Sequence, residues 1–331
     1  MQQLHLTMAG GYYDRTRAII DGSVRPEGLE LNYIELPIEE VFWRVLRYGE
    51  FDAAECSLAY YLICKSRGLG HDYIALPLFP SRCFRHGFVF VNRHSGIKHP
   101  RDLAGRIMGV PEYSMTAALW LRGLFEHDYG VPPGALRWRV GGIEQPNRAD
   151  RVDVAVDAKV EIEPIPRGKS LNGMLAAGEI DALMSPRIPS AYRTRHPDVA
   201  RLFPDYHKEE RAYYARTGFV PIMHTVVIKR PLYEREPWIA QSLFKAFRES
   251  SRQCIERMLD INAIPYSLPW YLPAIEETLE VLGEDFWPEG LEANWPNVNT
   301  LIGYAKEQGL IDRLLAPEEL FAPTTLSEYR I

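Results

Sequence analysis

The sequence predicts an α/β protein of two lobes, each a mixed, mainly parallel sheet flanked by helices, with a ligand cleft between them. Three observations carry this. Strand-like and helix-like segments alternate along the chain. A helix that runs into Gly-Glu, an apolar residue, Asp-Ala and a short strand occurs twice, at Gly49-Glu50-Phe51-Asp52-Ala53 and Gly178-Glu179-Ile180-Asp181-Ala182, about one domain length apart. A chain of 331 residues with 46% apolar content is also long enough for two cores. In both copies glycine suits a left-handed helix end, and a serine, Ser57 or Ser185, closes the buried strand. Ligands of open α/β sheets bind beyond the carboxyl ends of strands. The two serines are therefore expected on opposite walls of one cleft. Neither has an obvious base partner in sequence, so both are read as substrate-positioning groups rather than nucleophiles.

The elements follow in order. Residues 3–9 alternate as a strand, and 10–16 form a loop opening a helix through Ile20. A strand over 28–36 precedes an amphipathic helix over 37–48, with Val41, Trp43, Val45 and Leu46 on or near its apolar side. The first Gly-Glu unit leads to a helix over 58–66 and strands over 73–77 and 84–91. A polar, turn-rich stretch over 92–100 reads as a boundary. Beyond it lie a short strand ending near Pro111 and a helix through Glu126, for which Ser114 or a neighbour is the expected N-cap. A strand over 136–140 and polar, strand-like alternation over 150–167 precede the second unit. From about Pro204 the chain leaves the second lobe. An apolar run over 219–228 carries His224 and Thr225, and helices over 237–258, 270–282 and 297–308 follow. Residues 1–92 and 205–331 are thus expected to form a discontinuous first lobe and 93–204 the second. Two crossover strands would join them as a hinged clamshell.

Composition excludes several classes. The net charge is −6 with both signs well mixed, unlike a nucleic-acid-binding tract or a solvating acidic tail. No apolar run approaches the ~20 residues of a membrane span, and the first ten residues lack the basic and apolar regions of a signal peptide. Cys56, Cys64, Cys83 and Cys254 form no CxxC pair. These features predict a cytoplasmic protein with reduced thiols that contacts neither nucleic acid nor membrane. There is no HExxH, no histidine pair near cysteine ligands and no phosphate-binding glycine loop. His94 and His99 lack an evident third ligand. Neither a metal nor a cofactor is expected.

Several ordered motifs carry a family likeness. They are Tyr13-Asp14-Arg15-Thr16-Arg17, Gly28-Leu29, Glu55-Cys56-Ser57, Arg85-His86-Gly87, Gly109-Val110-Pro111-Glu112-Tyr113, Thr116-Ala117, Trp120-Leu121-Arg122-Gly123 and Pro221-Ile222-Met223-His224-Thr225-Val226-Val227-Ile228. From near Leu4 to about Gly309 the chain resembles the 4,5-dihydroxyphthalate decarboxylase family. The resemblance implies a type II periplasmic-binding-protein-like fold. It also implies a cofactor-independent cytoplasmic enzyme that converts 4,5-dihydroxyphthalate to protocatechuate and carbon dioxide. The expected partner is a small aromatic carboxylate, and the expected assembly is a homo-oligomer. A solute-binding protein for a small carboxylate, or a decarboxylase of another hydroxylated aromatic acid, would use the same scaffold. The missing export signal and the histidines expected in the cleft favour the enzyme.

The implied chemistry needs three groups: an acid near the ring carbon that loses its carboxylate, a base or acceptor near the hydroxyl para to it, and a cation for the retained carboxylate. His224, an imidazole in an apolar strand, is the first proton-handling choice; the alternative is a core histidine satisfied by backbone. His86 is the second, with Arg85 beside it as a substrate cation. Adjacent strand residues face opposite ways, so both line the cleft only if the strand ends or bulges there. Arg15 is the expected carboxylate clamp, helped by Thr16, or else pairs with Asp14 or Asp21. Arg187 either grips from the second lobe or forms a hinge salt bridge. Tyr113, Ser114 and Thr116 open a helix whose amides make an anion site. Glu112 would accept the phenolic proton or serve as a first-turn acid. Glu55 shares a face with Ser57, as a buried acid of raised pKa or an arginine's partner. Trp270 and Tyr271 read as packing a helix start, and Trp43, Trp120, Trp138 and Trp238 as core.

Overall fold

The computed structural model describes residues 3–146 and 160–326, so most of the alternation expected over 150–167 lies outside the described residues. The strands are β1 (Leu4–Gly10), β2 (Leu29–Glu35), β3 (Ala53–Ser57), β4 (Tyr73–Leu76), β5 (Val89–Asn92), β6 (Ile107–Val110), β7 (Arg137–Val140), β8 (Glu161–Pro164), β9 (Ala182–Met184), β10 (Val199–Arg201) and β11 (His224–Lys229). They form a five-stranded sheet in the order β2-β1-β3-β11-β4 and a six-stranded sheet in the order β10-β5-β9-β6-β7-β8.

The repeated unit takes the same place in each sheet. β3 runs parallel to β1 and antiparallel to β11, and β9 runs parallel to β6 and antiparallel to β5. Gly49 and Gly178 have φ of 58° and 71°, a region open to glycine because it has no Cβ to clash. The aspartates explain the rest of the motif. Asp52 Oδ2 accepts from the Thr7 amide at 3.0 Å, and Asp181 Oδ2 accepts from the Ile107 amide at 2.8 Å. In return, the amides of Asp52 and Asp181 donate to the carbonyls of Thr7 and Ile107. Each aspartate therefore ties its strand to the parallel neighbour and sets the register there.

Three expectations change. The segment expected as a strand over 84–91 is extended only from Val89, because residues His86–Phe88 wind into a 3-10 turn closed by the Phe88 amide on the Arg85 carbonyl. β5 joins the second sheet, so the chain leaves the first sheet between β4 and β5, ahead of the boundary expected at residue 92. The return crossover pairs with the outgoing one at the bridge Arg82–Ile222. The helix after β6 starts at Thr116, and its N-cap is Met115, the neighbour of Ser114 within the expected alternatives, without a side-chain cap.

The third change concerns the hinge. Ala9, Val41 and Leu62 from around the first sheet, and Val89, Met108 and Trp138 from the second, belong to one continuous buried cluster. Helices Leu58–Arg67, Thr116–Tyr129 and Leu291–Glu307 pack together across the junction, and Trp120 Nε1 donates to the Ile222 carbonyl at 2.8 Å. The two lobes share a core instead of meeting only at crossover strands. Trp120 and Trp138 are core as expected, but Trp238 and Trp270 are 40% and 76% exposed. Tyr271 does pack, and its hydroxyl donates to the Met258 carbonyl.

Candidate active site

β11 begins at His224, opposite Ser57 at the end of β3. Glu55 lies two residues before Ser57 and so turns to the same face. The Glu55 side chain is 1% exposed, and His224 Nδ1 donates to its Oε1 at 2.6 Å. The Tyr13 hydroxyl donates to that same oxygen at 2.7 Å, and the Gly11 amide donates to Oε2 at 3.0 Å. Burial, with Glu55 close by, pushes the Tyr13 hydroxyl well above the usual tyrosine range, so it remains a donor. The His224 ring meets Phe42 edge-on at 4.8 Å. Its side chain is 16% exposed, and Nε2 has no hydrogen-bond partner among the described residues.

Arg85 reaches the residue just ahead of β11. Its Nε donates to the sulfur of Met223, the residue before His224, at 3.2 Å. Its guanidinium stands 5.1 Å from the centre of the Phe88 ring, and the Phe88 carbonyl accepts from the Ser185 amide at the end of β9. The guanidinium thus sits between the strand that starts at His224 and the strand that leads to Ser185. Burial lowers its pKa, yet neither terminal nitrogen is bonded within the protein or sealed from solvent among the described residues. A half-buried guanidinium with open donors matches a planar carboxylate.

Other expected residues serve the junction between the lobes. Ser57 and Thr116 join hydroxyls at 2.8 Å, and the Ala59 amide donates to Thr116 Oγ1. The Tyr60 hydroxyl donates to Glu112 at 2.7 Å, with Glu112 buried. These groups close the two helix starts on each other, with Glu112 Oε2 accepting from Tyr60. Ser114 is buried beside them. Arg187 pairs with Glu39, which follows β2, at 2.8 Å. This pair lies at a cavity of about 970 Å³ whose lining includes Trp43, Ile143, Glu144 and Ile188, a volume suited to a small ligand.

The remaining expected site residues are committed elsewhere. His86 is not in the cleft. It is 2% exposed, caged edge-on by Phe203 and Tyr213, and burial, with Arg216 adding to it, pushes its imidazole down to about 4. Tyr113 is core, packed on Trp138 and under the Arg122 guanidinium. Arg15 donates to Asp14 at 2.7 Å and to the Pro80 carbonyl at 2.9 Å, and stacks 3.7 Å from the Trp287 ring centre, so its fork is largely spent. The Thr16 hydroxyl bonds back to the Tyr13 backbone. The Ser185 hydroxyl closes a turn on the Arg187 backbone. Tyr13, Tyr60 and the partnership of Glu55 with His224 escaped sequence reasoning. The only available signals were the spacing of Glu55 from Ser57 and the Gly-Gly-Tyr-Tyr loop at the end of β1.

Among the described residues no group of three or more His, Cys, Asp or Glu side chains is placed to hold a metal ion, and no helix is long and apolar enough to cross a membrane. Two lobes of this topology define the class: an α/β protein with a fold of the periplasmic-binding-protein type. In fold the chain is similar to the periplasmic aliphatic sulphonate binding protein SsuA of Escherichia coli, with a TM-score of 0.53 and 14% identity over 98% of this chain and 99% of that one. It is likewise similar to a periplasmic sulfonate-binding protein of Methylobacillus flagellatus, with a TM-score of 0.54 and 13% identity over 98% and 93%. No family model matches the chain. In sequence it is 37% identical to the 4,5-dihydroxyphthalate decarboxylase of Comamonas testosteroni over 331 residues, the full length of both. It is 38% identical to the Pseudomonas putida enzyme of that name over 205 residues, 62% of this chain and 79% of that one. The chain belongs to the 4,5-dihydroxyphthalate decarboxylase family.

Proposed function

We propose that this chain decarboxylates 4,5-dihydroxyphthalate to protocatechuate and carbon dioxide. The observation that carries the reading is His224, whose Nδ1 is held by buried Glu55 and whose Nε2 is open, with the open guanidinium of Arg85 bonded to Met223, the residue before it in the chain. The family relationship supplies the substrate. Arg85 holds the carboxylate that stays on the ring. His224, protonated, gives a proton from Nε2 to the ring carbon bearing the other carboxylate. The hydroxyl para to that carbon passes its proton to solvent and becomes ketone-like, which cancels the aromaticity of the ring. The carbon–carboxylate bond then breaks, carbon dioxide leaves, and the electron pair returns through the ring to the para oxygen, which takes a proton back from solvent. His224 is reprotonated from solvent. Leaving the departing carboxylate ungripped is part of the design, because only contacts that strengthen in the transition state speed the reaction. A protein that only bound its solute would need no such proton-handling pair.

The enzyme acts without a cofactor, in the cytoplasm and as a homo-oligomer. The four cysteines are all free, which supports a reducing compartment. The exposed apolar run that includes Ile261, Ile264, Leu268 and Trp270 supports self-association. The test is to incubate purified protein with 4,5-dihydroxyphthalate and follow protocatechuate by chromatography, with and without chelator. Turnover is expected in both, and His224→Gln should lower it by about a hundredfold or more. Saturable binding without turnover would reject the enzyme. Loss of turnover with chelator would reject cofactor independence.

A further inference from the structure

We infer that Glu55 and Tyr13 are positioning residues for His224: Glu55 keeps the imidazole hydrogen on Nδ1 so that Nε2 serves the cleft, and Tyr13 limits how strongly Glu55 holds the ring. The inference deepens the decarboxylase reading and rests on it for its kinetic test alone.

The geometry is asymmetric in a telling way. A carboxylate oxygen only accepts, so the short contact at 2.6 Å requires the hydrogen on Nδ1. Which ring nitrogen carries the hydrogen is set by the bond made at the other. Gly11 has Oε2, whereas Tyr13 and His224 share Oε1. The two side chains therefore compete for the electron density of one oxygen. A hydrogen bond to the charged form of an acid favours that form and weakens its pull on a neighbouring proton. Tyr13 thus moderates the grip of Glu55 on the imidazolium. The other groups turned toward the pair do not replace this control. Tyr33 from β2 donates to the Gly11 carbonyl, Arg15 is already paired with Asp14, and helix Ile38–Tyr48 presents the uncharged ring of Phe42. Ser57, across the ladder, is bonded to Thr116.

The consequence for the reaction is direct. As the Nε2–H bond breaks and the ring C–H bond forms, the imidazolium becomes neutral while Nδ1–H stays on Glu55. Glu55 stabilises the charged donor before that step, and Tyr13 keeps the stabilisation from being so strong that the proton is retained. Loss of either should move the pH range of turnover, in opposite directions.

Two readouts test this. The first needs no turnover. In protein carrying ¹⁵N-labelled histidine, with the His224 signals identified by their loss in His224→Gln, the neutral ring should carry its hydrogen on Nδ1. A hydrogen on Nε2 overturns the inference. The second readout is the kcat–pH profile with 4,5-dihydroxyphthalate. Glu55→Gln should move the alkaline limb about one pH unit lower, and Tyr13→Phe should move it higher, with KM changed by less than about threefold in both. Limbs that stay in place or move together overturn the inference. If Glu55→Gln does not fold, Tyr13→Phe and the nitrogen spectrum still decide. A wild-type protein that carries the Nδ1 hydrogen but makes no protocatechuate upholds Glu55 as the holder of the ring and rejects the decarboxylase reading instead.

Discussion

Arg15 and Arg85 carry the same guanidinium into opposite settings. Arg15 spends its donors on Asp14 and the Pro80 carbonyl and its face on Trp287, whereas Arg85 commits only Nε, to a thioether. Replacing Arg85 with lysine removes the two-point fork. KM for 4,5-dihydroxyphthalate should then rise about tenfold with a smaller change in kcat, and Arg15→Lys should leave KM near its starting value. Steady-state kinetics of the two variants check this. His86 belongs to the same scale but to stability. Its cage favours the neutral ring and lowers the imidazole from 6.5 to about 4. Between those values the unfolded chain takes up a proton that the folded chain does not. The stability from this group is therefore complete above pH 6.5 and is lost as the pH falls toward 4. The urea midpoint of the protein should drop between pH 7 and pH 5, and the drop should shrink in His86→Leu.

The repeated Gly-Glu–apolar–Asp-Ala unit works as an element, not as a catalytic motif. Its glycine ends one segment in a left-handed turn, its apolar residue (Phe51 or Ile180) is buried, and its aspartate bonds the start of the parallel strand beside it. The two copies should respond alike. Asp52→Ala and Asp181→Ala should each cost about 1–2 kcal/mol in urea unfolding, and the asparagine variants, which keep an acceptor oxygen, should cost less. Most strands and helices were legible at this scale because they depend on periodicity and local stops. The exception at residues 84–88 is instructive. Its composition reads as a strand, but the chain must turn there from one sheet to the other, and a 3-10 turn replaces the extended form.

One buried cluster runs through both sheets, so the whole molecule should unfold as one cooperative body. Side-chain bonds between Ser57 and Thr116 and between Tyr60 and Glu112 reinforce it. Urea unfolding followed by tryptophan fluorescence and by circular dichroism should give coincident single transitions. Two separated transitions would show lobes that fold independently. The sequence by itself determined the α/β class, the repeated unit and the order of most elements, and it marked His224 as a candidate, since all of these rest on local pattern or on a residue type out of place in an apolar run. Only the tertiary structure decided which groups meet. It paired Glu55 and Tyr13 with His224, left Arg85 open while closing Arg15, caged His86, and assigned Ser57, Thr116 and Glu112 to the joint between lobes. The reason is physical: a side chain's role follows from who takes its hydrogen bonds and how far it is shielded from water, and both are set by residues distant in sequence.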